Sequence, residues 1–260
     1  MDCLSMKAKT ISISNQKGGV GKTTTAINLS AGLAITGKKV LLIDLDPQGN
    51  ATSGLGISND KFDYNIYHVL IGRKTIKRAT INIREFAIDL VPSDISLIGA
   101  KIELITSDSR ESLLKDAISK SSDSYDFIII DCPPSLGILT INALVASDSV
   151  IIPVQCEYYA MEGVAQLLNT IRLVRATYNA DLDIEGFLLT MYDKRNNLSI
   201  QVANEMRQHF SGKVFSTHVP RNVRLSESPS FGKPVIYYEE KCAGAQSYLA
   251  LTEELLSEAS

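Results

Sequence analysis

Residues 15–24 read NQKGGVGKTT, and this decapeptide restricts the fold more than any other stretch of the chain. It follows a run with β character (10–15) and precedes an alanine- and leucine-bearing helical pattern (22–36). A glycine-rich turn between a strand and a helix is built to hold phosphate. Gly18, Gly19 and Gly21 let successive backbone N–H groups point inward, and the helix beginning near Lys22 adds the positive end of its dipole. Lys22 is then placed to neutralise β- and γ-phosphates, and the Thr23 hydroxyl to ligate Mg²⁺. Val20 and Thr24 complete the nucleotide-binding stretch. The strict pattern G-x-x-x-x-G-K-[ST] nevertheless fails, because Gln16 stands where it requires glycine. An additional lysine, Lys17, precedes the glycines instead.

Beyond this loop, Val- and Ile-rich runs alternate with helical patterns. Strands are expected at 10–15, 39–44, 88–92, 127–131, 149–154 and 184–191, with a short one at 214–216. Helices are expected near 22–36, 95–104, 110–120, 138–146, 159–178, 198–210 and 243–256. Several strands are apolar on both faces, as parallel strands covered from both sides must be. The pattern predicts an α/β fold: a doubly wound, mostly parallel sheet with helices on both faces. Ligands of such sheets sit at the carboxyl ends of the strands. The 260 residues fit a single phosphate-loop domain, 1–260, with residues 1–9 a frayed N-terminus.

Two of the apolar runs end in acids. Residues 41–50 read LLIDLDPQGN and residues 127–134 read FIIIDCPP. A strand that ends in Asp delivers a carboxylate to the sheet edge beside the phosphate loop, where it can hold Mg²⁺ directly or through water. Asp131 receives that role. Asp46, on the loop that would face a γ-phosphate, is the candidate for orienting the attacking water and for the Mg²⁺ shell, with Asp44 as a lesser contributor to that shell. The segments 46–56 and 131–137 read as switch regions, since glycine or proline follows each carboxylate.

The run KGGVGKT at 17–23 resembles the deviant Walker A motif of the ParA/MinD superfamily. The runs GNATSGLG (49–56), CPPSLG (132–137), MYDKR (191–195) and VPRNVRLSESPSFGKPV (219–235) resemble the ParA/Soj family, so the likeness covers nearly the whole chain. It implies a slow ATPase using ATP and Mg²⁺, with Lys17 as the signature lysine that contacts nucleotide across a dimer interface. It implies that Lys17, Lys22 and Asp46 are the catalytic groups, and that the adenine lies near Met191, Pro220 and Arg221. It further implies an ATP-bound homodimer that binds DNA non-specifically through Arg195 and Arg224. A ParB-like partner would stimulate hydrolysis and release the DNA.

Charge distribution agrees with a local rather than a global attraction to DNA. The chain carries a net −3, yet residues 191–241 hold eight Lys/Arg against five Asp/Glu, leaving −6 for the rest. No helix-turn-helix segment precedes the phosphate loop, so phosphate contact without base reading is expected. A MinD-like membrane ATPase is the alternative, but it needs basic residues beside an apolar C-terminal helix face. After Lys241 there are none, and there are glutamates at 253, 254 and 258. No apolar run approaches a spanning helix or resembles a signal peptide, so the chain is expected to be cytoplasmic, nucleoid-associated and not membrane-bound. Cys3, Cys132, Cys156 and Cys242 form no CxxC pair and read as reduced thiols, which disfavours an iron–sulfur carrier.

Overall fold

A computed structural model describes residues 8–104, 109–121, 124–157 and 160–258. In chain order, β1 (Lys9–Ile13) leads through the phosphate loop into α1 (Lys22–Ile35), and β2 (Val40–Asp44) leads into α2 (Asn50–Gly54). The short helices α3 (Ile66–Leu70) and α4 (Ile76–Ala79) precede a hairpin of β3 (Ile81–Ile83) and β4 (Ile88–Val91), followed by α5 (Leu97–Glu103) and α6 (Leu113–Ser119). Strict alternation then resumes with β5 (Phe127–Asp131), α7 (Ile138–Ala146), β6 (Ser149–Gln155), α8 (Ala160–Thr177), β7 (Asp183–Tyr192), α9 (Asn197–His209) and β8 (Val214–Pro220). The chain closes with α10 (Val223–Glu227), α11 (Val235–Tyr238) and α12 (Ala243–Glu258).

The strands form one eight-stranded sheet in the order β3-β4-β2-β5-β1-β6-β7-β8. Every pairing is parallel except β3 with β4. Alternating side chains of the central strands enter two different cores, which is why their sequences read apolar without interruption. Leu42 and Ile129 join one core with Leu29 and Leu33 of α1 and Tyr248 and Leu251 of α12. Leu41, Ile43, Ile128 and Ile130 join the opposite core with α3, α5, α6 and α7. A third cluster packs α8 and α9 on β6 and β7. Each fully buried Leu or Ile contributes about 1.5–3 kcal/mol relative to exposure, and the central strands are buried throughout.

The expected strands and main helices are present, with differences at their ends. β8 runs on to Pro220 rather than stopping at 216, because pairing with β7 continues through Val219 and Pro220 despite the polar Thr217 and His218. It is an edge strand, and the Glu254 carboxylate of α12 accepts the Ser216 and Thr217 N–H groups at 2.6 and 2.9 Å. Covering an open edge in this way blocks pairing with foreign strands. β3 was not expected: three residues, one of them Asn82, leave no periodic signal. Nor were α2, α3, α4, α10 and α11, each of four or five residues. The fraying expected through residue 9 fails at positions 8 and 9: Ala8 is buried, and Lys9 pairs with Phe127 and bonds Glu185 at 2.7 Å. Cys3 and residues 1–7 lie outside the described residues.

Candidate nucleotide-binding site

β1, β2 and β5 are neighbours through β5, so their carboxyl ends bring the phosphate loop and both acidic segments to one place. The loop is held at several points. The Asn15 side chain donates to Pro153 O at 2.7 Å and accepts from Lys17 N at 3.0 Å. The Thr190 hydroxyl donates to Val20 O at 2.8 Å, tying the loop to β7, and Val20 itself is buried. Gly19 and Gly21 have φ of 72° and 89°, a left-handed backbone that a side chain would strain. Gly18 and Gly19 are exposed, and a Cβ on either would meet no protein atom within 4 Å. A Cβ would instead fill the cradle above the loop.

Gly21 caps α1 without a side chain, and the first internal bond of that helix is Thr25 N to Gly21 O. The N–H groups of residues 22–24 therefore have no intrahelical acceptor, which makes this terminus receptive to an anion. Lys22 is buried, and its ammonium donates to Lys17 O at 3.0 Å. Burial pulls its pKa below the ordinary lysine value, against the opposing charges of Asp131 and Asp46.

The carboxylates differ sharply in their partners. Asp44 and Asp131 are register partners on adjacent strands, and both are fully buried. Asp44 is satisfied by the chain itself: Oδ1 accepts from Asp46 N at 3.1 Å, and Oδ2 accepts from the Thr52 N–H and hydroxyl at 2.8 and 2.7 Å. It thereby caps α2 from outside, where the N-cap Gly49 offers no side chain. Burial raises the Asp44 pKa to about 6 even so. Both Asp44 oxygens thus already accept bonds from the chain's own N–H and O–H groups. Asp131, by contrast, has two buried oxygens that accept no well-formed hydrogen bond among the described residues, the Thr23 hydroxyl lying nearby. Burial and the charge of Asp44 push its pKa well up, against a weaker pull from the nearby Thr23 hydroxyl and Lys22. Buried polar atoms are nearly always partnered, so an orphaned carboxylate facing a phosphate loop fits a divalent cation shell. Asp46 is nearly buried, and its Oδ1 accepts from Gln48 N at 3.0 Å. Among the described residues no group of three or more His, Cys, Asp or Glu gathers as a metal cluster. Mg²⁺ needs none, since it is typically held by one or two carboxylates plus phosphate oxygens.

Met191, Pro220 and Arg221 line one cleft of about 270 Å³ together with Gly21, Thr24, Asn222 and Tyr248. Met191 takes φ 50°, at a point where the register between β7 and β8 shifts. Such strain, of order 1–3 kcal/mol, is commonly kept at ligand sites. The Lys17 ammonium lies 3.3 Å from Glu157, whose other oxygen is 3.9 Å from Arg221. Arg195 and Arg224 are each paired locally, with Asp193 at 3.1 Å and Glu227 at 2.7 Å. The structure thus brings the loop, carboxylates and cleft together, and leaves the two arginines on separate surface segments. Asn15, Thr52, Glu157, Thr190, Asn222 and Tyr248 escaped the sequence-based site. Asn15, Thr52, Thr190 and Asn222 carried a usable signal, since each lies within or beside a motif quoted from the sequence.

A family model described as an AAA domain matches residues 8–184. The chain is 57% identical to the sporulation initiation inhibitor protein Soj of Bacillus subtilis over 251 residues, covering 95% of this chain and 98% of that protein. It is 55% identical to the chromosome partitioning protein ParA of Myxococcus xanthus, covering 95% of this chain and 87% of that protein. Among solved structures it resembles cobyrinic acid a,c-diamide synthase from Mycobacterium smegmatis with bound ADP and magnesium, at 37% identity and a TM-score of 0.86, over 97% of this chain and 95% of that one. Identity of this order across nearly the whole length has one reading: the chain belongs to the Soj/ParA family of chromosome-partitioning P-loop ATPases.

Proposed function

We propose that this chain is an ATP-dependent DNA-partitioning ATPase whose nucleotide state controls its grip on DNA. The observation that carries this reading is the orphaned carboxylate of Asp131, buried at the end of β5 beside the Lys22 ammonium. ATP fits the site: the phosphates over Gly18–Gly19–Val20–Gly21 and the free N–H groups of residues 22–24, the adenine in the cleft of Met191, Pro220 and Arg221. Thr23, Asp131 and Asp46 are the residues that would hold Mg²⁺. Bound there, Mg²⁺ supplies charge neutralisation between the phosphate oxygens. Lys22 adds positive charge at the phosphates, and Asp46 orients a water whose oxygen attacks the γ-phosphorus as the bond to the β–γ bridging oxygen breaks, giving ADP and phosphate.

Lys17 completes the scheme from a second copy. Released from Glu157, it reaches the partner's nucleotide in a sandwich homodimer and places charge where the transition state gathers it. Joining two copies places two sets of Arg195 and Arg224 on one surface, so that dimerisation converts weak phosphate contacts into avid, non-specific DNA binding. Hydrolysis, slow in the isolated protein and stimulated by a ParB-like partner, returns monomers and frees the DNA. This reading places the protein in the cytoplasm on the nucleoid and off the membrane. In support, Ala245, Tyr248, Leu251 and Leu255 of α12 are buried in the core with α1, and no helix among the described residues is long and apolar enough to cross a membrane.

Co-sedimentation with DNA under ATP, ADP and no nucleotide, at two salt concentrations, tests the proposal. Binding that requires ATP and weakens steeply with salt is expected, and Asp46→Ala should persist as an ATP-loaded dimer on DNA. Equal DNA binding in all three nucleotide conditions would refute the coupling.

A further inference from the structure

Thr52, the third residue of α2, is buried at 1% exposure and joins two strand ends. Its hydroxyl donates to Asp44 Oδ2 at 2.7 Å, and its backbone N–H donates to the same oxygen at 2.8 Å. The hydroxyl oxygen accepts from Ser93 N at 2.9 Å, just beyond β4. A hydroxyl has one proton, and here the carboxylate takes it, so the direction of the chain is fixed: Ser93 N–H to Thr52 Oγ1, Thr52 O–H to Asp44 Oδ2. The other oxygen of Asp44 accepts from Asp46 N at 3.1 Å. One unbroken hydrogen-bonded path therefore runs from the end of β4 to the backbone of Asp46. Steric fit reinforces it, because a Cβ on Gly49 would lie 2.8 Å from Ser93 O, and Gly49 N is bonded to Asp46 O at 2.9 Å. Loop 46–49 is thus pressed against the carbonyl of the same residue, Ser93, whose N–H the hydroxyl of Thr52 engages.

We infer that Thr52 is a positioning residue for hydrolysis: its hydroxyl clamps Asp44 and, through Asp44, fixes the backbone from which the Asp46 carboxylate projects. The inference rests on the assignment of Asp46 as the water-orienting group. Threonine suits the place because its branched Cβ limits χ1, so the hydroxyl that bridges Ser93 and Asp44 does not wander. Networks of this kind in a buried setting polarise one another and hold a single geometry. The clamp touches neither the phosphate loop nor the base cleft, so its loss affects the chemical step and spares metal-free nucleotide binding.

The test compares Thr52→Val, which keeps the shape and loses the hydroxyl, with Thr52→Ser, which keeps the hydroxyl. Three readouts are single-turnover ATP hydrolysis with Mg²⁺, affinity for a fluorescent ATP analogue in EDTA, and amide hydrogen exchange at residues 46–52 in the nucleotide-free protein. Thr52→Val is expected to slow hydrolysis about 10- to 100-fold, the cost typical of a misplacement near 1 Å. Its nucleotide affinity should stay within about threefold of the parent, as uniform binding is untouched. Exchange at 46–52 should quicken, and Thr52→Ser should restore both rate and protection. If Thr52→Val does not fold, Thr52→Ala, which leaves room for a bridging water, takes its place in the same comparison. Parental hydrolysis in Thr52→Val, a parallel loss of affinity, or failure of Thr52→Ser to rescue would each overturn the inference. An inert parent would instead sink the hydrolysis reading, and the exchange pattern alone would then decide whether the clamp exists.

Discussion

Asp131→Asn should make the nucleotide-free protein more stable while abolishing its response to Mg²⁺. The parent buries a carboxylate whose two oxygens accept no well-formed hydrogen bond among the described residues, beside a second buried carboxylate on the next strand. Asp44, equally buried but holding three hydrogen bonds, already has its pKa raised from 3.8 to about 6. A shift of that size corresponds to about 3 kcal/mol of stability withheld when the group is ionised. Asp131 lacks those bonds, and its pKa is likewise pushed well up by burial and by Asp44. The sign follows from linkage: a carboxyl whose folded pKa exceeds its unfolded value costs stability above the folded pKa, and the cost fades as pH falls through it. Replacing Asp131 by a neutral isostere should therefore raise stability at the alkaline end of the range, by about 1–3 kcal/mol if the cost is that of a buried polar group left unsatisfied, with about 2–4 °C in Tm for each kcal/mol at this chain length. The gain should shrink as pH falls and the parent's carboxyl takes up its proton. Thermal unfolding in EDTA at pH 8, 7, 6 and 5 measures it, and repeating the pH 8 scan with ADP and Mg²⁺ should raise the parent's Tm but not the variant's. A variant less stable than the parent at pH 8, or offset equally at every pH, would show that the carboxylate is satisfied and that the reasoning is wrong.

Gly32→Ala should destabilise the packing of α12 on α1, because the added Cβ would overlap the Thr252 hydroxyl and lie 3.2 Å from its Cβ. Overpacking of about 1–3 kcal/mol outweighs the helix-propensity gain of about 1 kcal/mol. Chemical denaturation should show the loss, and Gly32→Ala with Thr252→Ala should recover most of it. Arg195→Glu with Arg224→Glu should abolish ATP-dependent DNA retention while dimerisation by sedimentation stays intact; unchanged DNA affinity would remove both residues from the interface. Because each arginine is exposed and its ion pair is with an acid two or three residues away, the double variant should keep the parent's thermal stability.

Much of this architecture was legible before any coordinates. The phosphate loop announced itself through Gly19 and Gly21, whose left-handed backbone few residues tolerate, and through Lys22 and Thr23 at the start of α1. The central strands were legible because burial on both faces leaves uninterrupted apolar runs such as FIIID at 127–131. What escaped was short or held by contacts distant in sequence: β3, the five brief helices, and the last four residues of β8, whose strand form comes from β7 rather than from local composition.

The amino-acid order by itself determined the loop, the alternation of strand and helix, and the fact that two strands end in acids, since each is a local pattern that backbone sterics and side-chain periodicity read directly. Only the tertiary structure decided which acid is free. Asp44 and Asp131 look alike as strand-terminal aspartates, yet α2 bends back to satisfy one through Thr52, eight residues on, whereas the other faces only the Thr23 hydroxyl and the Lys22 charge of the phosphate loop among the described residues. The base cleft has the same origin, for Met191, Pro220 and Tyr248 meet only where β7, β8 and α12 converge. Hydrogen bonding and burial across the sheet, which composition does not encode, turned two equivalent residues into a structural clamp and an open carboxylate.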